Sequence, residues 1–255
     1  MATTNNSRFG EQAGTVELLW GPRPQPTRGP KPALSIHRIA QAAIAVADAE
    51  GLAAVSMQRV AAELGVTKMA LYRYVPGKAD LIALMVDTAG DPPPLLDGEA
   101  DGWRAQLGHW ARRLLAVFQR HPWLLDATVG PRIIGPNELG WLEQAVAALE
   151  GTGLDGGERM DAVIVILGHV RAIAQQTQAP PGPPQDHPEQ QPGTILTQLL
   201  ATHGDRYPAV TAALASASRP GSPDRALEFG LERIFDGLGV LIAQRSGTDK
   251  HGRKQ

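Results

Sequence analysis

Residues 65–75 read GVTKMALYRYV and gather the side chains of this chain best suited to meet a polyanion. Tyr72 and Tyr74, two of the three tyrosines, flank Arg73, with Lys68 one helical turn upstream and Lys78 just downstream. From Leu64 to Ala79 there is no Asp or Glu. The tyrosine hydroxyls and the Lys78 ammonium suit phosphate oxygens. Lys68 suits guanine O6 and N7, and Met69 or Ala70 a thymine methyl. A carboxylate here would face phosphates, which accounts for the missing acids. The alternative for the same residues is an ordinary helical hairpin with solvated charges and half-buried tyrosines.

The elements around this stretch follow from caps and periodicity. Ser35 caps a helix carrying Ile36, Ile39, Ala40, Ala43 and Ala47 at helical spacing, and Gly51 stops it. Ser56 caps a second helix with Val60, Ala61 and Leu64 on one face, ended by Gly65. Thr67 caps a third, running through Val75. Only Gly65-Val66-Thr67 separates the second helix from the third, the signature of a helix-turn-helix. Gly65 supplies the positive φ of the stop, Val66 plugs the turn, small Ala61 permits close approach and Leu71 points to the core. Lys68, Met69, Tyr72 and Arg73 are left on the outer face. Pro76-Gly77 breaks the chain before a fourth helix over about 78–88.

Beyond DPPPLLDG (91–98) the pattern predicts longer helices. Trp103, Leu107, Trp110, Leu114 and Val117 form an amphipathic stripe that ends at Pro122. A short helix near 123–128 and another over 138–149 follow. The helix over 158–178 is apolar nearly all round at its centre, which predicts burial. PPGPPQDHPEQQPG (180–193) holds six prolines in fourteen residues and reads as a surface loop. Helices over 194–203 and 206–217 follow, then a last one from near Pro223. Its Leu227, Leu231, Ile234, Leu238 and Leu241 form one stripe, with Phe229, Phe235 and Val240 on a second apolar face. No strand pattern emerges, so the fold class expected is all-α.

Composition bounds the function. The 255 residues are 43% hydrophobic and carry a formal net charge of −2. Residues 1–80 hold nine Lys/Arg against six Asp/Glu, and residues 81–255 fifteen against twenty. The positive half is the one with the basic stretch. The absence of cysteine excludes disulfides, thiolate metal sites and a thiol nucleophile. No signal-peptide pattern or bilayer-length apolar run is present, so a cytoplasmic location is expected, with no membrane partner. The seven histidines are scattered, and no HExxH, GxSxG, P-loop or dinucleotide fingerprint occurs, so no enzyme is expected. Residues 1–33 are polar and then Pro/Gly-rich, and read as an extended, flexible arm made basic by Arg23, Arg28 and Lys31. A reach into the minor groove or along phosphates is one reading of that arm, and a solvated linker the other.

Ile39-Ala40, Ala49-Glu50-Gly51-Leu52 and SMQRVAAELGVTKMALYRYVPGKADLIALMVD (56–87) together resemble the DNA-binding domain of the TetR family of bacterial repressors. The likeness runs without a gap over about 34–88. The ending LEFGLERIFDGLGVLIA (227–243) is similar to the C-terminal region of the tetracycline-repressor subgroup. The resemblance implies a three-helix helix-turn-helix domain at 34–88, a helical effector-binding and dimerisation domain at 95–245 and a disordered tail at 246–255. It places Gln58 within reach of a base, Lys68, Met69 and Ala70 in the base-reading stretch, Tyr72, Tyr74 and Lys78 at phosphates, and Arg73 at either, and it counts Thr67 among the DNA-binding residues.

The resemblance further implies a homodimer on a palindromic operator, joined through helices near 158–178 and 223–245, the alternative for both being intramolecular core helices. It implies a pocket for a small molecule among the middle helices. Candidates to line it are Trp103, Trp110, Phe118, Trp123, Trp141 and His169, with Arg171 as a further hydrogen-bond donor. Four of the five tryptophans fall within 103–141, which favours a large, flat, apolar ligand. Plain core packing is the alternative for each tryptophan, and a satisfied core histidine for His169. Tetracycline repressors proper hold a drug–magnesium chelate through histidines and a carboxylate. The segment WLLDATVG after Pro122 lacks the histidine, so neither metal nor cofactor is expected. The function implied is ligand-released repression, with the helix over 78–88 as lever. The alternative is a DNA-binding regulator of the same fold controlled by a protein partner, or one without an inducer.

Overall fold

The structure, a computed structural model, describes residues 13–22, 34–90, 92–93, 102–177, 192–217 and 225–252. No strand occurs among them, and the chain is all-α as expected. It divides into two compact units, one formed by Met1–Gln178 with Leu227–Gln255 and the other by Ala179–Ala226.

In the first unit, helix α1 spans 13–20. Helix α2 (Ile36–Glu50) begins where the Ser35 hydroxyl accepts from the Arg38 N–H at 3.2 Å. A 3-10 turn, Leu52–Ala54, leads to α3 (Met57–Leu64), capped when Ser56 accepts from the Arg59 N–H at 3.1 Å. In α4 (Lys68–Tyr72), Thr67 caps by accepting from the Ala70 N–H at 3.3 Å, and α5 (Lys78–Ala89) follows. Each such cap stabilises its helix by about 1 kcal/mol. Ile39, Ala43, Val60, Leu71, Val75, Leu81 and Met85 have no exposed surface and form the core of these helices.

Helix α6 (Trp103–Arg120) lies along α9 (Gly156–Thr177), with the short α7 (Leu124–Ala127) and α8 (Pro136–Ala147) between them in sequence. Helix α12 (Ala226–Gly252) is held to both. Arg112 of α6 donates twice to Glu228, at 2.7 and 2.8 Å, and His169 Nε2 of α9 donates to the Leu227 carbonyl at 3.0 Å. Among the described residues the second unit holds α10 (Pro192–His203), a 3-10 turn (Gly204–Arg206) and α11 (Pro208–Ala217). There the Thr211 hydroxyl donates to the Tyr207 carbonyl at 3.0 Å.

Several expectations need correction. Residues 13–20 are helical rather than an extended arm, because Leu19 is buried and Thr15 donates to Asp80 Oδ1 at 2.5 Å. The basic part of the arm, with Arg23, Arg28 and Lys31, lies outside the described residues. Helix α4 stops at Tyr72, so Tyr74 and Val75 follow it in the turn. Helix α12 continues to Gly252 where a disordered tail was expected from residue 246. Residues 180–191 of the proline-rich segment and Pro223 lie outside the described residues, as does most of 91–98.

Helix α9 is buried on one side only. Ala162, Val163, Ile166, Val170 and Ala174 face the core, while Ile164 and Val165 stay 57% and 54% exposed. On α12, Leu231 and Phe235 are buried, and Phe229 and Val240 are exposed. Phe235 thus belongs to the core face, where Trp103 meets it edge-on at 5.7 Å.

Candidate functional site

Gly65 adopts φ 67° and ψ 30°, the left-handed conformation. Its N–H returns to the Ala62 carbonyl at 3.1 Å, and the Val66 N–H to that of Ala61 at 3.0 Å. This double return closes α3 and lets α4 start three residues later. A Cβ at position 65 would meet nothing within 4 Å, so the backbone angle, not space, calls for glycine.

Leu71 anchors α4 with no exposed surface. The opposite face is open: Met69 is 73% exposed, Tyr72 38% and Tyr74 36%, with Thr67, Lys68 and Arg73 exposed beside them. Ala70 is half-buried, which leaves it the least reach of the group. Lys68 Nζ lies 5.5 Å from the centre of the Tyr72 ring. Gln58 on α3 and Lys78 at the start of α5 are also exposed. The nearest acids on α2 and α3 are occupied, since Arg59 holds Glu50 at 2.7 Å and Glu63 at 2.8 Å. The outer face of α4 therefore presents ammonium, guanidinium, phenol and thioether groups and no carboxylate, a surface that can donate to phosphates and base edges.

A cavity of about 300 Å³ lies among α6, α8, α9, the turn after α7 and the end of α5. It brings together three of the six predicted lining residues, Trp110, Phe118 and Trp141. The two indoles meet at 6.3 Å between ring centres. Trp110 Nε1 donates to the Trp141 carbonyl and Trp141 Nε1 to that of Gly90, each at 2.8 Å. With their N–H groups bound to backbone, the rings supply apolar wall. The other three candidates lie elsewhere. Trp103 packs on Phe235, Trp123 Nε1 donates to Asp48 Oδ1 at 2.7 Å, and His169 holds α12. Each is a structural contact between helices distant in sequence.

The cavity's polar groups are Thr128, Arg132, Glu138 and Arg171. Arg171, expected as a donor, gives one N–H to the Thr128 hydroxyl and one to the Leu125 carbonyl, both at 2.6 Å. Burial, and then the charge of Arg132, lower its pKa from the usual guanidinium value. Arg132 and Glu138 went unrecognised in the sequence. They pair through both terminal guanidinium nitrogens across the turn into α8, which starts at Pro136, two residues before the expected 138.

The cavity is joined to α5. Asp87, 2% exposed near the end of that helix, accepts from the backbone N–H groups of Asn137 at 2.8 Å and Glu138 at 3.2 Å. A carboxylate at a helix start satisfies donors that the helix itself leaves unpaired. Gly135 makes this possible, since a Cβ there would lie 2.2 Å from the Asp87 carboxylate oxygen. Helix α1 reaches the same region: Trp20 Nε1 donates to the carbonyl of Ile134, a residue of the cavity wall, at 3.0 Å. Among the described residues no group of three or more His, Cys, Asp or Glu is placed to hold a metal ion, and no helix is long and apolar enough to cross a membrane.

Comparison with known proteins gives two matching family models. Residues 39–85 match that of bacterial regulatory proteins of the tetR family, and residues 94–242 that of the tetracyclin repressor-like C-terminal domain. The chain is 41% identical over 260 residues to the HTH-type transcriptional repressor DrrR1 of Streptomyces coeruleorubidus, covering 96% of this chain and 92% of that one. In structure it is similar to apo ActR from Streptomyces coelicolor, with a TM-score of 0.68 at 24% identity over 83% of this chain and 98% of that one. ActR in complex with actinorhodin gives 0.66 at 27% identity, over 82% and 96%.

Proposed function

The chain belongs to the tetR family of bacterial regulatory proteins, and from that premise we propose that it is a homodimeric repressor released from its operator by a small molecule. The observation that carries this reading is the outer face of α4. Lys68, Met69, Tyr72 and Arg73 stand outward on a helix that Leu71 fixes from behind, with no acid in the stretch. In this reading α4 lies in the major groove, with Lys68 on a guanine and Met69 or Ala70 against a methyl group. Gln58 and Thr67 approach from the groove edge, Tyr72, Tyr74 and Lys78 hold phosphates, and Arg73 serves either purpose.

Two copies meet through α9 and α12. Val165, Phe229 and Val240 are large apolar groups left in solvent by a single chain, on the two long helices. Their pairing with the same faces of a second copy makes a four-helix bundle.

The cavity takes the effector. ActR, a structural relative, binds actinorhodin, and Trp110, Phe118 and Trp141 here offer walls for a flat apolar molecule. A ligand bound better by one arrangement of α8 shifts the population toward it. Asp87 carries that change to α5, and so to the spacing of the two α4 helices. The role assigned to the cavity is regulation, not turnover.

The test is a titration of the purified protein against the intergenic DNA beside its own gene. Preference for a palindrome there over random DNA, abolished by a flat aromatic compound, is the expected result. Equal affinity for both DNAs sinks the repressor reading, and failure of every such compound to release the palindrome sinks the effector reading.

A further inference from the structure

The charges that line the cavity do not balance. Two guanidiniums, Arg132 and Arg171, stand against one carboxylate, Glu138. Glu138 is bound by the two terminal nitrogens of Arg132, whose Nε is buried without a hydrogen-bond partner. Arg171 is bound only to neutral oxygens, those of Thr128 and Leu125. Its guanidinium lies 5.6 Å from the centre of the Phe118 ring, beside the apolar wall. Burial and then the charge of Arg132 act against Arg171 and the more weakly felt Asp126 acts for it, so an anion placed here relieves the two cations together.

We propose that this end of the cavity is an anion subsite, and that the effector is a flat, otherwise apolar acid whose carboxylate is taken by Arg171 and Arg132. The proposal rests on the reading of the cavity as the effector site and adds the chemical class of the ligand. It also supplies a trigger. An entering carboxylate competes with Glu138 for Arg132, and the Glu138 N–H is one of the two that Asp87 holds. Ligand charge thereby reaches the joint between α8 and α5.

The experiment compares anthracene-2-carboxylate with anthracene-2-carboxamide, two probes of one shape and different charge, by calorimetry on the full chain at neutral pH. The acid is expected to bind at least about tenfold more tightly than the amide, as charge-assisted bidentate pairing warrants. Arg171→Met lowers acid binding far more than amide binding and so removes that preference, and Arg171→Lys retains part of it. Equal affinity of the two probes for the unaltered protein overturns the proposal and needs no variant. So does binding of neither probe, or a preference that survives in both Arg171→Met and Arg132→Met. The two readings fail separately. Preference for the acid without release of operator DNA keeps the subsite and sinks the effector role. Release by the amide as readily as by the acid keeps the effector role and sinks the subsite.

Discussion

Asp87 and Asn137 hold each other twice: the Asn137 backbone N–H donates to the Asp87 carboxylate at 2.8 Å, and its Nδ2 donates to the Asp87 backbone carbonyl at 2.9 Å. Side chain binds backbone in both directions, so the end of α5 and the start of α8 cannot separate without losing both bonds. Helix α5 begins at Lys78, directly after the segment proposed to read DNA.

Replacement of Asp87 by Ala leaves the Asn137 and Glu138 N–H groups without that acceptor. A loss of roughly 1–3 kcal/mol in unfolding free energy is expected. Operator affinity without ligand should change little, while its ligand-induced weakening should fall by on the order of tenfold. Fluorescence anisotropy with and without effector measures both. A full ligand response in a destabilised variant would show that the contact serves stability alone.

Lys68 and Lys78 are expected to separate specificity from affinity. Lys68→Ala should reduce discrimination between operator and random DNA by about 1–3 kcal/mol. Lys78→Ala should weaken binding to both and lower the slope of log affinity against log salt by about 1. Salt titrations on the two DNAs report this, and unchanged operator binding in both variants rules out the assignment of this face.

Val165→Asp together with Val240→Asp places charge on the exposed faces of α9 and α12. Both positions are open in a single chain, so intramolecular stability should shift by less than about 0.5 kcal/mol each. The mass measured by light scattering should drop to that of one chain, with operator binding lost. A dimer that persists would put the interface elsewhere.

Gly65→Ala tests the turn by backbone strain alone, because its Cβ finds open space. An alanine held at φ 67° should cost about 1–2 kcal/mol. The thermal midpoint should fall by a few degrees. An unchanged midpoint would mean that the turn has relaxed to another conformation.

The parts of this protein legible in its sequence are those set by neighbours in the chain. Ser35, Ser56, Thr67 and Gly65 act on groups within five residues, and each occupies the cap or stop its type implies. Helix α1 is not legible when residues 1–33 are taken as one segment, because prolines dominate their second half. The run Val16-Glu17-Leu18-Leu19-Trp20 was the available signal. The tryptophans divided for a different reason. Helical spacing marks Trp103, Trp110, Trp123 and Trp141 alike as inward, but Phe235 claims one and Asp48 another. Those partners lie 132 and 75 residues away, beyond what periodicity can specify. For α9, an all-round apolar helix said only that both faces avoid water. One face meets its own chain, Ile164 borders the cavity, and Val165 remains open.

The Trp110–Trp141 pair has a spectroscopic consequence. Indole emission responds to nearby dipoles and quenchers, and two of the chain's five indoles stand in the cavity wall, hydrogen-bonded in series from Trp110 to Trp141 to Gly90. The protein carries its own optical probe at that wall, and no label need be introduced. A molecule that enters beside these rings should alter their emission, and Trp110→Phe or Trp141→Phe would tell which ring is nearer. Because Trp141 is also bound to Gly90 at the end of α5, the same emission can register a displacement of that helix while the wall stays filled.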